Sequence, residues 1–251
     1  MTDRRSFLRT ALAGLGGSVL AGCDRLSQSQ WWPSVLGSAE TVNRHVQRAL
    51  ARHGMAREYS PEDIAPHFKG NGSIHPGTQA YRELAANQFR DWQLEVGGAV
   101  RTPLRLSLQQ LRALPSRTQI TRHDCVEGWS CIGQWTGVPL SHILTMAGPT
   151  QRARYVVFHC ADELGGPGQP YYESIDLLDA WHPQTILAYA LNGQPLPVAN
   201  GAPLRLRVER QLGYKMAKYL MRIEMVEDFS HIHGGAGGFW EDRGYNWYAG
   251  I

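Results

Sequence analysis

Cys125 stands in the string "RHDCVEGWS" (122–130), with ionisable groups on both sides of its thiol. A sulfur in that setting has four uses: nucleophile, half of a disulfide, metal ligand, or small apolar filler. The other cysteines are Cys23, Cys131 and Cys160. Four thiols in 251 residues do not make a disulfide framework, although a bridge between any two of Cys125, Cys131 and Cys160 stays open. A cysteine protease would need Cys125 beside a base such as His123, His142 or His159. No C-x-x-C-H occurs, which excludes an attached c-type haem. No C-x-x-C pair or H-E-x-x-H occurs either, which argues against structural or protease-type zinc. The last option is a single thiolate on a soft or high-valent metal whose other ligands arrive with a cofactor.

A second constellation is cationic. Of 25 basic residues only three are lysines, and two of these, Lys215 and Lys218, fall within "LGYKMAKY" (212–219); the third is Lys69. The overall balance is weak, at +3. Removing residues 1–22 takes away Arg4, Arg5, Arg9 and Asp3 and leaves a net charge of +1. Such a chain gives no case for nucleic acid as a partner.

The N-terminus reads as an address. Arg4-Arg5 precedes Ser6-Phe7-Leu8-Arg9 and an uncharged stretch over residues 10–22. That stretch is shorter than the roughly 20 apolar residues a span needs. Residues 1–22 therefore match a twin-arginine export signal, a route for folded proteins that suits a cofactor inserted before export. The protease reading leaves this signal unexplained. "LAGC" (20–23) resembles a lipoprotein processing box with Cys23 as the lipid-bearing terminus; ordinary cleavage nearby is the rival reading. No later segment is apolar enough to span, so the expected location is the periplasmic face, with membrane attachment by lipid only.

The elements that must position these groups follow from pattern. Residues 27–38 are polar around Trp31-Trp32-Pro33 and read as a tether. Residues 40–53 carry Val42, Val46, Ala49 and Leu50 at helical spacing, with Gly54 placed to end the helix. "HFKGNGSIHPG" (67–77) is a loop, and residues 91–106 read as a β-hairpin about Gly97-Gly98. Ser107 and Gln110 form a capping box for a short helix stopped before Pro115. Residues 137–149 form another helix, begun at Pro139 and ended at Gly148-Pro149. Residues 154–161 are a strand, 173–183 a brief helix and 217–229 a further strand. On 202–210, Leu204, Leu206 and Val208 share one face, while Arg205 and Arg207 share the other. The glycine-aromatic tail, 233–251, is irregular and serves either as a lid or as a packed terminus. The chain divides into a signal (1–22), a tether and helix (23–66) and one α+β domain (67–251).

"CVEGWS" (125–130) followed by "WTGVPLSHIL" (135–144) resembles the molybdenum-cysteine segment of the sulfite oxidase superfamily. It is especially similar to the bacterial branch containing the catalytic subunit of periplasmic methionine-sulfoxide reductase. The resemblance runs from about Phe68 to Glu227 and returns in several motifs in the same order. It implies a molybdopterin-binding domain of mixed β-sheets with short flanking helices, and a molybdenum-molybdopterin cofactor. Cys125 is then the molybdenum ligand, and Cys131 is packing filler. In "FKGNGSIHP" (68–76) Asn71 matches a pterin-facing asparagine. Ile74 and His75 fill contact positions with departed residue types, and His75 reads equally as a solvated loop residue. Cys160 stands where that branch places a pterin-contacting threonine. In "LPVANGAPLRLRV" (196–208) Asn200 and Arg205 match cofactor-binding positions, and an arginine fork suits a phosphate. Arg207 reads as a surface charge. Backbone amides at Met216 and Ala217, with Lys218, would close on the phosphate as an anion nest; Lys215 shares that role or is solvated.

The implied chemistry is two-electron oxygen-atom transfer with a small oxo-substrate, molybdenum cycling between Mo(VI) and Mo(IV). Electrons pass to or from a membrane cytochrome b or a quinone-linked redox subunit. Arg122, His123 and Glu127, with Trp129, are the candidate catalytic surroundings of the thiolate, joined by Trp240, Arg243, Tyr245 and Trp247 from the tail. Val-Glu-Gly-Trp in place of a basic run after Cys125 favours the reductase-like branch. The alternatives are oxidation of sulfite or another oxyanion, or a non-catalytic binding lipoprotein of the same fold. "DELGGPGQPYYES" (162–174) is shorter than the equivalent loop of the sulfoxide-reducing branch. The chain ends before the C-terminal dimerisation domain of sulfite-oxidising relatives, so a monomeric catalytic subunit is expected.

Overall fold

Residues 29–50 and 54–251 are those the computed structural model describes. The export signal and Cys23 lie outside them. The chain divides into two units between Ala51 and Arg52. In the first, α1 (Trp32–Leu50) starts eight residues before the expected Glu40 and takes in part of the supposed tether. Pro33 sits in its first turn, where a missing N–H leaves no helical bond unmade. No helix among the described residues is long and apolar enough to cross a membrane.

The second unit begins earlier than the expected residue 67. Tyr59 N–H donates to Ile120 O at 2.9 Å and Ala65 N–H to Ile132 O at 3.0 Å, so this stretch is laced onto the body. After α2 (Gln79–Ala86), β1 (Gln93–Gly98) and β2 (Leu104–Ser107) pair antiparallel. The hairpin turn falls at residues 99–103, just beyond the expected Gly97-Gly98. The capping box forms as expected and starts α3 (Leu108–Ala113), with Gln110 N–H donating to Ser107 Oγ at 3.2 Å.

β3 (Arg117–Asp124) and β4 (Ser130–Pro139) form the hairpin that carries the central thiol, Asp124 lying opposite Ser130. α4 (Leu140–Ala147) buries Leu140, Ile143, Leu144 and Ala147, the core stripe of a helix, and ends at left-handed Gly148. β5 (Tyr155–Cys160) pairs with β6 (Tyr172–Asp176), followed by the single-turn α5 (Leu177–Ala180). The first four residues of the expected helix at 173–183 are thus strand. β7 (Ile186–Leu191), β8 (Gln194–Pro195), β9 (Arg205–Arg207) and β10 (Leu220–Val226) complete two mixed-order sheets. One has the order β2-β1-β10-β5-β6, with β1 and β10 parallel; the other runs β3-β4-β7-β8, with β9 also on β7. The main core gathers Trp92, Leu94, Phe158, Ile223 and the α4 stripe, while Phe68, Cys131 and Trp135 anchor a smaller cluster under the second sheet. This is the α+β arrangement that the sequence implies.

Candidate functional site

Because β3 stops at Asp124 and β4 starts at Ser130, Cys125 is the first residue of a five-residue hairpin loop. Its N–H donates to Trp129 O at 2.9 Å, and its carbonyl accepts from Gly128 N–H at 3.0 Å. Gly128 takes φ +85°, the left-handed residue that closes such loops. With both backbone groups engaged, the thiol is held in place, 8% exposed. Burial pushes it up in pKa. The Glu127 backbone N–H opposes this, the Glu127 carboxylate reinforces it, and the Lys69 ammonium opposes it again.

Cys125, Val126 and Glu127 form one wall of a cavity of about 150 Å3. Asn71, Gly72 and Ser73 form a second; Asp162, Leu164 and Tyr171, from the loop after β5, a third. Gly213, Tyr214, Met216 and Lys218, on the crossing from β9 to β10, form the floor, and Trp240 and Tyr245 of the tail cover one side. The tail is thus both packed terminus and cavity wall. Trp240 stacks on Tyr245, and Leu212 N–H donates to Ala249 O at 2.9 Å. No arginine is among these lining residues.

Beside the floor lies buried positive charge without a counterion. Arg205 is 1% exposed; its Nη1 donates to Asn200 O at 3.0 Å, its Nη2 to Met216 O at 3.3 Å, and its Nε has no partner. Burial, then the charge of Arg207, lowers it to about 9. Lys218 donates to the carbonyls of Asn71 and Ser73. Burial, then Arg205, lowers it to about 7, against the pull of Asp162 and Cys160. Among the described residues neither cation has a carboxylate within ion-pair distance. Two desolvated cations and an orphaned guanidinium N–H fit an anionic group such as a pterin phosphate. A thiol across the cavity fits a thiophilic metal.

The remaining residues named from sequence fall into three sets. Asn71, Glu127, Met216 and Lys218 line the cavity with Cys125. Asn200, Arg205, Ala217 and Cys160 are buried behind it. Asn200 Nδ2 approaches Phe68 O at 3.5 Å, and the Lys218 N–H faces a Cys160 thiol held far up in pKa by burial. Ile74 and His75 are exposed and outside the lining.

Strand alternation separates Arg122 from His123. Arg122 points outward and pairs with Asp124 at 2.9 Å, lining a different depression with Tyr59, so it is not beside the thiol. His123 points inward but is fully buried, its Nδ1 accepting from Arg207 Nη1 at 3.0 Å. Burial, then Arg207, Arg205 and Lys218, holds it neutral, so it braces the site and does not face the cavity. Trp129 N–H donates to Glu127 at 2.8 Å. Arg243 binds Gln169 and the Phe239 carbonyl, and Trp247 donates to Ser174; neither lines the cavity.

Two cationic readings are corrected. Arg207 is no surface charge: it is 0% exposed, in a fork to Glu209 at 2.9 and 2.5 Å. Lys215 is neither solvated nor at the cavity, being buried between Glu173 and Glu241. Cys131 is filler as expected, buried with its thiol 3.6 Å from His67 O. Sequence reasoning missed Asp162 and Tyr171. The signal available was an acidic and an aromatic residue bracketing the glycine-rich loop "ELGGPGQP" (163–170).

An α+β domain whose two sheets meet at a thiol on one side and unneutralised cations on the other belongs to a class built around an anionic metal cofactor. A family model described as the oxidoreductase molybdopterin binding domain matches residues 82–233, and the chain belongs to that family. It is 37% identical over 254 residues to a putative protein-methionine-sulfoxide reductase subunit YedZ1 of Azospira oryzae, covering 98% of this chain and 87% of that one. It is 43% identical over 145 residues to the protein-methionine-sulfoxide reductase catalytic subunit MsrP of Xanthomonas axonopodis pv. citri, covering 54% of this chain. The matched part is only 45% of that relative's length. The sulfane dehydrogenase SoxCD of Paracoccus pantotrophus shares the fold, with a TM-score of 0.51 at 22% identity over 55% of this chain and 39% of that one. The chain is thus a molybdopterin-dependent oxidoreductase of the sulfite oxidase fold, with molybdenum-molybdopterin as its cofactor.

Proposed function

We propose that this chain is an exported, monomeric catalytic subunit that reduces a small neutral oxo-substrate, a sulfoxide before others, at a molybdenum centre ligated by Cys125. The observation that carries this reading is the cavity lining beside Cys125. It offers Tyr171, Tyr214, Trp240, Tyr245 and Leu164, two carboxyl groups and no arginine; the one cation in this lining, Lys218, is turned to the Asn71 and Ser73 carbonyls. A sulfite dianion needs cationic donors, whereas a neutral sulfoxide or N-oxide is suited by apolar and aromatic walls. The relatives named as methionine-sulfoxide reductase subunits support the same choice.

When bound, the cofactor supplies two-electron oxygen-atom transfer. This chain's residues would do the rest. Cys125 would give up its proton on metal binding, a step the Glu127 N–H favours and burial of the thiol opposes. Lys218, Arg205 and the Ala217 backbone would hold the phosphate, with Asn71 and Asn200 bracing their loops; the Met216 amide expected in that nest already donates to Gly213 O at 3.1 Å. Asn71 and Lys218 reach the cavity itself; Ile74 and His75 would have to move to do so. Tyr171, Trp240 and Tyr245 would seat the apolar substituents of the substrate and exclude water. Reduction of a sulfoxide consumes two electrons and two protons and releases water. Asp162, pushed up to about 6 by burial, is a group at the wall able to hold one of those protons near neutral pH.

The twin arginine at Arg4-Arg5 and "LAGC" (20–23) support export by the twin-arginine route and lipid anchoring through Cys23 at the periplasmic face. There a membrane cytochrome b or quinone-linked subunit would supply the electrons. The test is turnover of methionine sulfoxide, an N-oxide and sulfite with an artificial electron carrier. Sulfoxide reduction should lead, and Cys125→Ala should lower it more than about a hundredfold while the protein stays folded. Faster sulfite oxidation would overturn the substrate reading, and full activity in Cys125→Ala the ligand reading.

A further inference from the structure

Val35, Val42 and Val46 lie seven and four residues apart on α1, which places them on one face of the helix. They are 43%, 61% and 48% exposed, and Trp31, just before the helix, is 54% exposed. A helix in a water-soluble domain normally spends such a stripe on a core. Among the described residues this stripe is exposed. Trp31 packs edge to face on Trp32 at 5.7 Å, forming an aromatic pair at the helix end nearest Cys23 along the chain. From Thr41 to Arg57 the sequence holds Arg44, Arg48, Arg52 and Arg57 and no acidic residue. An apolar stripe, tryptophans at one end and a basic sequence fit a surface that is apolar within and anionic at its face. The helix is 19 residues long and not apolar enough to span, so it suits lying along that surface.

We infer that α1 is an interfacial helix that lays Trp31, Val35, Val42 and Val46 into an anionic lipid surface. The inference rests on the lipoprotein reading for its geometry: eight residues from Cys23 to Trp31 reach at most about 30 Å, so a lipid on Cys23 keeps the helix beside the membrane. A lipid and an amphipathic helix together make the two contacts that stable anchoring takes. The catalytic domain is then retained close to a membrane-embedded electron partner.

The test uses the exported, cofactor-loaded chain carrying Cys23→Ser, so that no lipid contributes. Vesicles are phosphatidylethanolamine with phosphatidylglycerol in equal parts, or phosphatidylcholine alone. The chain should float with the phosphatidylglycerol vesicles and less with phosphatidylcholine. Val42→Asp with Val46→Asp should lower the bound fraction about tenfold or more, with molybdenum content and turnover unchanged. Val42→Leu with Val46→Leu should bind at least as well as the parent. No flotation of the parent, or equal flotation of the aspartate pair, would overturn the inference. So would a concentration-dependent dimer that the aspartate pair abolishes, which would mark the stripe as a contact between copies. Mass spectrometry of the membrane-bound chain reads lipidation of Cys23 separately, so failure of the lipoprotein reading is distinguishable from failure of the helix.

Discussion

Lys218 shows how a single residue ties the fold to its cofactor. Its ammonium is buried beside Arg205 and takes only backbone carbonyls as partners, which lowers its pKa to about 7, burial being the larger cause. Between that value and the ordinary 10.5 the unfolded chain keeps a proton that the folded chain has shed. Stability of the cofactor-free protein should therefore rise with pH across this window, by at most about 5 kcal/mol. Denaturant unfolding from pH 7 to 10 should show the rise in the parent and not in Lys218→Met. Cofactor-loaded protein should also lack it, because a phosphate keeps the lysine charged. The positions of Cys125, Asn71 and Lys218 at one cavity were legible because each sits in a contiguous motif. Arg207 was not: alternation puts it opposite Leu206, but only the tertiary fold shows that both faces of β9 are covered. Asp162 and Tyr171 were missed because the loop that brings them in has no local pattern tying it to the thiol.

At the scale of elements, the tail is fastened to the floor of the cavity by a buried charge cluster. Lys215, in the turn before Met216, contacts Glu173 of β6 and Glu241 of the tail. Burial pulls Lys215 down, but the two carboxylates outweigh it and hold it raised. Glu173 is raised well above the usual range by burial, with Lys215 opposing and Glu241 reinforcing. A Cβ at Gly238 would collide with both carboxylates, so a larger residue there would have to displace them from Lys215. Lys215→Met would leave two buried carboxyl groups facing each other. It should cost about 3–5 kcal/mol in denaturant unfolding and quicken proteolysis after residue 228, since the tail loses its anchor. Unchanged stability would mean that the cluster is neutral in the parent. The local elements were legible where side chains specify them nearby, as in the capping box at Ser107 and the α4 stripe. The helix expected at 173–183 failed over its first four residues because pairing with β5, from Glu173 opposite Phe158 to Asp176 opposite Tyr155, overrides a weak local preference.

At the scale of the whole molecule, the cavity sits where two sheets exchange chain. Cys125 follows β3 of one sheet, and Asp162 follows β5 of the other. Residues 208–219 cross from β9, on the sheet of β3 and β4, to β10 at the centre of the other, carrying Met216 and Lys218 on the way. This meeting of distant strands was visible in sequence only through the order of the motifs, since no periodicity encodes which strands neighbour each other. A group held at Cys125 and at the Arg205–Lys218 cations would link both sheets and neutralise charge that the fold buries at a cost. Binding to the folded chain alone at a hundredfold excess over Kd adds about 2.7 kcal/mol. For a domain of this size that corresponds to about 5–10 °C in Tm. Stripping molybdenum and pterin should lower Tm by that amount, measured by calorimetry on loaded and stripped protein. The gap should narrow in Cys125→Ala and in Lys218→Met, because each removes one end of the link. Equal melting of loaded and stripped parent protein would show that the cofactor does not bridge the sheets.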